Sequence, residues 1–208
     1  IYKGTRNELK VKQIGNLKVN IKQFKKPNLI NQIAYRWFRK SKAERSYLYA
    51  SSLLERKVGT PQPIAYKINF SWLGVGKSYY VSVQQPHDLT YRELIHNPDY
   101  PKREEILRAF TQFTFHFHSQ GVFFLDHSPG NTLIEIKGDG SYAFYLVDLN
   151  RMQFKTLTYD ERIKNFARLT PKKEMYVIMA DEYVKLIQRD AEEVFNQMWG
   201  DVEAFRLK

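Results

Sequence analysis

Three polar residues in the second half of the chain have the types and spacing of a phosphoryl-transfer site. Asp126 and Asn131 lie five residues apart around Pro129 and Gly130, between apolar runs, and Asp148 follows a further apolar run. In such a site one carboxylate takes up or orients the proton of the attacking hydroxyl. An amide oxygen and a second carboxylate hold Mg²⁺ on the nucleotide phosphates. The pattern therefore favours phosphoryl transfer.

The same residues also suit an ordinary turn. Asp and Asn around Pro-Gly are common turn formers, and an Asp that closes a strand is often a cap. A tight loop with Asp and Asn at its two ends would, however, bring a base and a metal ligand together. A hairpin would then return Asp148 opposite them. The second aspartate behind a strand makes catalysis the better interpretation.

Composition indicates a globular chain that is long enough for one domain or two small lobes. Of its 208 residues, 43% are hydrophobic and 15% are aromatic. The absence of cysteine excludes disulfides, thiolate metal sites and a cysteine nucleophile. We expect an intracellular protein that does not span the membrane, because no apolar run is long enough and no signal peptide is visible. Since the first residue is Ile1, we expect the natural N terminus to lie upstream.

The net charge of +11 is unevenly distributed. Nine basic residues and one acidic residue, Glu44, lie between Lys18 and Arg45. This patch suits an anionic partner, namely nucleic acid, an acidic membrane surface or a phosphorylated substrate, although a solvated face without a partner would look the same. Nucleic acid is the least favoured of these partners, because no RNA-binding motif is present.

The N-terminal half is predicted to be a β-meander, two helices and two further strands. Alternation and turn signals place the strands at 9–14, 17–24, 64–70 and 77–83, and apolar periodicity places the helices at 30–38 and 42–57. Ser41 is the expected N-cap of the second helix. The first helix carries a Trp-Phe face beside basic residues, which either packs on the sheet or lies on an anionic membrane.

Several residues of this half are candidates for nucleotide binding. Lys22 ends a Val-Asn-Ile-Lys run on the third strand, and the similar V-A-I-K pattern uses its lysine to hold the α- and β-phosphates. A helical glutamate should pair with it. Glu44 is the better placed candidate, because Glu55 lies near the far end of the helix. Gly4 lies in a turn that either covers phosphates or is a plain turn. Backbone groups around Val83, in a predicted crossing between two lobes, should meet the adenine edge.

The C-terminal half is predicted to be mainly helical. Helices are expected at 90–96, 101–120, 159–169 and 175–199, with a hairpin of strands at 132–136 and 142–147. The long helix should bury Ile106, Phe110, Phe113 and Phe117. His118 on this helix is expected to be a satisfied or exposed histidine, because no ligand-like spacing supports a metal site.

The order of these elements and motifs resembles that of protein-kinase-like folds, and more closely the bacterial lipopolysaccharide kinase family. That family includes the Kdo kinases and the heptose kinases. The stretches that carry the resemblance are 19–28, 41–47, 60–66, 125–133 and 147–151. The resemblance implies a two-lobed α+β fold. Residues 1–83 would form an antiparallel-sheet N-lobe, and residues 84–208 would form a mainly helical C-lobe.

The resemblance also implies the activity and the roles of the residues. Asp126 corresponds to the catalytic aspartate, Asn131 and Asp148 correspond to the metal ligands, and Lys22 corresponds to the phosphate-binding lysine. ATP would be the donor and Mg²⁺ the cofactor, with Mn²⁺ as an alternative. The acceptor would be a sugar hydroxyl of the lipopolysaccharide inner core, at the cytoplasmic face of the inner membrane.

The chain departs from the protein-kinase pattern at several points. Phe124 stands where the H-R-D motif has histidine, Asp148-Leu149-Asn150 replaces Asp-Phe-Gly, and the glycine-rich loop is degenerate. The short segment after Asp148 leaves little room for a peptide platform, which favours a small or glycolipid acceptor. The alternatives are a RIO-like protein kinase, a small-molecule phosphotransferase and a catalytically silent binding module.

Overall fold

An antiparallel five-stranded sheet dominates the N-terminal region. The computed structural model describes residues 2–3, 7–26, 40–71 and 74–207. The chain divides into two compact units. The N-terminal unit comprises residues 1–86 with 148–150, and the C-terminal unit comprises residues 87–147 with 151–208. The N-terminal unit contains β1 (Tyr2–Lys3), β2 (Asn7–Ile14), β3 (Leu17–Phe24), α1 (Lys42–Glu55), β4 (Pro63–Ser71) and β5 (Gly74–Val83).

Strand β3 occupies the middle of this sheet, whose order is β1-β2-β3-β5-β4. The β2–β3 hairpin closes through Gly15, whose φ of 56° favours glycine, and Ile14 pairs with Leu17. On the other side of β3, Lys22 pairs with Tyr80 of β5. Val19 and Phe24 of β3 are buried. Lys22 therefore lies on a strand that is bonded on both sides.

Helix α1 begins at the predicted cap. The Ser41 side chain accepts a hydrogen bond from the Glu44 N–H at 3.1 Å, which satisfies one of the free donors of the first turn. The helix packs against β4 and β5. Its buried residues are Ala43, Ser46, Ala50 and Leu53.

The C-terminal unit is mainly helical, with short strands between the helices. Its helices are α2 (Tyr91–His96), α3 (Arg103–Ser119), α4 (Tyr159–Lys164), α5 (Lys173–Ile187) and α6 (Ala191–Arg206). Its strands are β6 (Leu89–Thr90), β7 (Val122–Phe124), β8 (Thr132–Ile136), β9 (Tyr142–Leu146) and β10 (Met152–Phe154). The antiparallel sheet in the N-terminal region and the helices in the C-terminal region confirm the predicted fold class.

Two small sheets hold the segment that contains Asp126. One has the order β6-β8-β9, and the other pairs β10 with β7. The chain leaves β7 at Phe124 and enters β8 at Thr132, so residues 125–131 connect the two sheets. The candidate catalytic loop is therefore anchored at both ends by hydrogen-bonded strands.

The core of this unit is rich in aromatic side chains. Ile106, Phe110 and Phe117 of α3 are fully buried, as predicted, and Phe113 is partly buried against the same core. Helices α5 and α6 contribute further buried residues, which include Met175, Tyr176, Met179, Tyr183, Val194 and Met198. Burial of this apolar surface is the main stabilising contribution to the unit.

The predicted helix over 175–199 is wrong, because the structure contains two helices, α5 and α6. Gln188 takes a left-handed conformation with φ 54° and ends α5. The Asp190 side chain accepts from the Glu193 N–H at 2.9 Å and starts α6. The helix predicted over 159–169 is shorter in the structure, where α4 ends at Lys164. Strands β6, β7 and β10 had no counterpart in the sequence prediction.

Some predictions fall outside the described residues. These are the helix at 30–38 and Gly4. Among the helices that the structure does describe, none is both long enough and apolar enough to cross a membrane.

Candidate active site

The loop of residues 125–131 is a closed turn that fixes Asp126 relative to Asn131. Asn131 Nδ2 donates to the main-chain carbonyl of Asp126 at 2.8 Å, and the Asn131 N–H donates to the Ser128 carbonyl at 2.9 Å. The Val147 N–H donates to the Asn131 carbonyl at 3.0 Å, which ties the loop to the end of β9. The bond from Nδ2 fixes the orientation of the Asn131 amide, whose Oδ1 is the atom that can take a metal ion.

The Asp126 carboxylate is paired with Arg168. Arg168 Nη1 lies 3.1 Å from Asp126 Oδ1 and donates to the Leu125 carbonyl, also at 3.1 Å. Both side chains are partly exposed, Arg168 to 35% and Asp126 to 28%. The guanidinium therefore fixes one carboxylate oxygen while Asp126 stays accessible to a substrate.

A buried asparagine holds the loop from the other side. Asn165 Nδ2 donates to the Phe124 carbonyl at 2.8 Å, and Asn165 Oδ1 is 3.0 Å from His118 Nε2. The Asn165 carbonyl is 3.3 Å from His127 Nδ1. One residue thus bonds to the strand before Asp126, to the residue after it and to α3.

Both histidines of this network are neutral at neutral pH. Burial lowers the pKa of His118 and the pKa of His127 to about 3. The His127 ring is surrounded by Phe110, Phe117 and Phe124. Packing and orientation are therefore their role. The expectation that His118 is satisfied holds for only one ring nitrogen, because Nε2 contacts Asn165, whereas the buried Nδ1 has no hydrogen-bond partner among the described residues. In the parts of the chain that the structure describes, no group of three or more His or acidic side chains could hold a metal ion.

Lys22 and Asp148 form an ion pair within the N-terminal unit. Lys22 Nζ is 2.7 Å from Asp148 Oδ1, and the lysine side chain is only 14% exposed. Lys22 Nζ also lies 5.5 Å from the centre of the Phe24 ring. The two residues that the sequence singles out as phosphate and metal contacts are therefore adjacent in space.

The backbone at Asp148 has an unusual conformation. Its φ is 57°, whereas the other non-glycine residues with positive φ among those described, Lys57, Lys102 and Gln188, lie at helix ends. Asn150 Nδ2 donates to Asp148 Oδ1 at 2.7 Å, and the Asn150 N–H donates to the Asp148 carbonyl at 2.9 Å. A left-handed aspartate that its neighbours hold in place is typical of a functional site.

The structure does not bring the predicted glutamate to Lys22. Among the described residues, the ion pair of Lys22 is with Asp148, and none links it to Glu44 or Glu55. Glu44 lies in the first turn of α1, where its N–H bonds to Ser41. A nucleotide-binding role for Glu44 stays a prediction.

The Val83 N–H is engaged within the protein. It donates to the Gln62 carbonyl at 2.9 Å, and the next N–H, of Gln84, donates to the Lys18 carbonyl at 2.8 Å. Neither donor is offered to an adenine edge. The predicted contact with adenine would therefore rest on other groups of this stretch.

Three residues of the candidate site are not predicted by the sequence. Arg168 and Asn165 lie about forty residues from the loop they contact, and no local pattern marks them. In the sequence, Asn150 stands out only as a departure from glycine. Its position two residues after Asp148 was the signal that its side chain could bond to Asp148.

Comparisons with known proteins identify the family and the fold of the chain. The model of the lipopolysaccharide kinase (Kdo/WaaP) family matches residues 16–197. A solved structure described as WaaP in complex with acyl carrier protein is similar over 99% of this chain and 85% of that one, with a TM-score of 0.66. At 15% identity this likeness shows the fold alone. No curated protein sequence matches. Because the family match covers most of its length, the chain belongs to the lipopolysaccharide kinase (Kdo/WaaP) family and is a kinase.

Proposed function

We propose that the protein transfers the γ-phosphate of ATP to a sugar hydroxyl of the lipopolysaccharide inner core, on Kdo or heptose. Membership of the family supports kinase chemistry and a sugar acceptor. The observation that carries the assignment of residues is the Asp126 loop. There the Asn131 amide bonds to the Asp126 carbonyl and Arg168 holds Asp126 Oδ1.

Asp126 acts as the base. Its Oδ1 contacts Arg168, so Oδ2 is the oxygen that takes the proton of the acceptor hydroxyl. The hydroxyl oxygen forms a bond to the γ-phosphorus as the bond from that phosphorus to the β–γ bridging oxygen breaks, and ADP leaves. Asn165 and Arg168 hold the loop, so the carboxylate meets the hydroxyl in a fixed orientation.

Lys22 contacts the α- and β-phosphates of ATP. Its strand is bonded on both sides, and its side chain is mostly covered, so the ammonium group has little freedom. A fixed cation stabilises phosphate charge without reorganising during the reaction. The pairing with Asp148 shows that the ammonium already has an anionic oxygen as neighbour.

Asn131 and Asp148 are the proposed ligands of Mg²⁺, or of Mn²⁺ as an alternative. Amide and carboxylate oxygens are the donors these ions prefer, and the bond from Nδ2 to the Asp126 carbonyl fixes the orientation of the Asn131 amide. Asn150 orients Asp148 through Oδ1. When bound, the ion neutralises charge on the nucleotide phosphates. The donor types of the two residues, an amide oxygen and a carboxylate, therefore suit such an ion.

The test is phosphate transfer from labelled ATP, with Mg²⁺, to purified Kdo-containing lipid A. We expect Asp126→Asn to reduce transfer at least about 10³-fold, because the isosteric amide cannot take the proton. Asp139→Asn is the matched control, since Asp139 is an exposed aspartate on the β8–β9 hairpin of the same unit. Equal transfer by Asp126→Asn and the wild type would refute the role of Asp126.

The acceptor is tested separately. The protein is offered Kdo-containing lipid A, a heptose-containing glycolipid, a generic protein substrate and an aminoglycoside. Label on the glycolipid alone supports the proposal. Label on protein only, or on the aminoglycoside only, would support a RIO-like protein kinase or a small-molecule phosphotransferase instead.

We also propose peripheral contact with an anionic membrane surface. The basic residues between Lys18 and Arg45 support it, apart from Lys22, whose side chain is only 14% exposed. Each basic residue near an anionic surface contributes about 1 kcal/mol to binding. Co-sedimentation with vesicles that contain anionic lipid should be strong at low salt and weak at high salt. Equal binding to neutral vesicles would contradict an electrostatic contact.

A further inference from the structure

A cavity of about 200 Å³ lies beside the candidate catalytic loop within the C-terminal unit. One wall is Pro129 of the loop itself, and α6 supplies another. The side chains relevant here are Pro129, Arg168, Leu169, Val202, Phe205 and Arg206. Arg168, which pairs with Asp126, therefore also lines this cavity.

Arg168 connects the cavity to the proposed base. Its Nη1 contacts Asp126 Oδ1 and the Leu125 carbonyl, and its guanidinium lies over the Phe205 ring at 5.4 Å. Within the described part of the chain, Nε and Nη2 of Arg168 make no hydrogen bond to the protein. A planar guanidinium presents donors in a fixed fork, so the remaining donors can bind an anionic oxygen.

The lining combines an apolar surface with positive charge. Phe205 and Pro129 offer flat apolar surface, which suits the C–H face of a sugar ring. Arg168 and Arg206 are the charged side chains, and none of the residues that line the cavity in the described chain is acidic. Such a site suits a sugar with a negatively charged substituent better than a neutral sugar.

We propose that this cavity receives the acceptor sugar and that Arg168 and Arg206 hold a carboxylate or phosphate group on it. The proposal rests on the proposed function, since it assigns the acceptor position for the reaction at Asp126. Arg168 contacts both the base and the anionic group, so it fixes the distance between the acceptor and Asp126. Arg206 and Phe205 determine which acceptor binds.

The first experiment compares the kinetics of Arg206→Gln with those of Arg189→Gln. Arg189 is a partly exposed arginine of the same unit, so this control removes the same charge outside the cavity. We expect Arg206→Gln to raise the KM for Kdo-containing lipid A at least about 10-fold. The KM for ATP should not change in either variant. An unchanged acceptor KM in Arg206→Gln would overturn the proposal.

The second experiment neutralises the ligand instead of the protein. Kdo-containing lipid A with methyl-esterified carboxylates, and the same glycolipid without its phosphates, distinguish the two sources of negative charge. One of the two altered glycolipids should show a raised KM with the wild type. Arg206→Gln should raise the KM for that glycolipid little further, because its interaction with Arg206 is already lost. Increases that simply multiply, or no effect of either change, would overturn the proposal.

A failure of the proposed function can be told apart from a failure of this inference. If the wild type transfers no phosphate to any glycolipid, the proposed function fails. Equilibrium titration with free Kdo then tests the cavity without catalysis. Binding that Arg206→Gln and Phe205→Ala weaken, and that Arg189→Gln does not, supports the cavity. No binding by the wild type overturns it.

Discussion

Lys22 is a lysine whose position is fixed by two strand neighbours and by an anionic partner. Replacing it by methionine keeps the aliphatic stem and removes the charge that contacts Asp148 at 2.7 Å. We expect Lys22→Met to lower kcat/KM for ATP by about 10²-fold or more, because phosphate charge loses a preorganised cation. Steady-state kinetics with varied ATP measure this.

Lys12→Met is the matched control for Lys22. Lys12 lies on the neighbouring strand β2 and is exposed, so its replacement makes the same chemical change without touching the ion pair. Its kinetics should match those of the wild type. If both variants lose activity equally, a general effect of charge and not a specific phosphate contact is responsible.

The two buried histidines make stability depend on pH. Burial lowers the pKa of His118 and of His127 to about 3, whereas an unfolded histidine titrates near 6.5. Below pH 6.5 the unfolded state therefore binds more protons, and the free energy of unfolding falls as the pH falls. The slope should approach about 1.4 kcal/mol per pH unit for each histidine between pH 6 and 5. Denaturant titrations at several pH values measure it.

His127→Phe tests this origin, because the ring lies among phenylalanines and phenylalanine adds no titrating group. The slope of the variant between pH 6 and 5 should be smaller by the contribution of one histidine, about 1.4 kcal/mol per pH unit. His96→Phe is the control, since His96 is an exposed histidine at the end of α2. A slope that is the same in His127→Phe and in the wild type would contradict the assignment.

The sequence identified candidate residues whose partners are close along the chain. Asp126 and Asn131 could be predicted to lie close together because only four residues separate them in a tight loop. Arg168 and Asn165 could not, because their positions depend on how the segment after α4 returns to the loop. The predicted partner of Lys22 was a helical glutamate, and the structure pairs it with Asp148.

At the scale of elements, the first turn of α6 is capped by one side chain. Asp190 Oδ1 accepts from the Glu193 N–H at 2.9 Å and caps α6. We expect Asp190→Ala to lower the free energy of unfolding by about 0.5–2 kcal/mol, since the Glu193 N–H in the first turn loses its acceptor. Glu192→Ala, in the exposed first turn of the same helix, should change it by less. Urea denaturation compares them, and equal losses would argue against capping.

The sequence predicted elements well where hydrophobic periodicity was regular and local turns were clear. Strands β3 and β8 have the predicted bounds, and α3 differs from its prediction by only a few residues. The prediction of a single helix over 175–199 was wrong because apolar positions continue across the break between α5 and α6. The sequence signal for that break is Asp190, which caps α6. Strands β7 and β10 are three residues long each, and pairing between distant segments, not a local pattern, defines them.

At the scale of the whole molecule, nucleotide binding should appear as added stability. A ligand that binds only the folded state raises the free energy of unfolding by about 2.7 kcal/mol at a concentration 100 times its Kd. We expect ATP with Mg²⁺ to raise the thermal midpoint of the wild type. The rise should be larger than with ATP and EDTA if Asn131 and Asp148 hold the ion on the phosphates, as we propose.

Asp148→Asn separates the metal from the nucleotide in this measurement. The amide keeps the size of the side chain but removes the charge that would bind the ion and that pairs with Lys22. We expect the additional stabilisation by Mg²⁺ to disappear while part of the effect of ATP remains. Asp139→Asn, an exposed change of the same kind, should respond as the wild type does. If Asp148→Asn kept the full effect of Mg²⁺, the ion would have to bind through other ligands, and Asp148 would serve to hold Lys22.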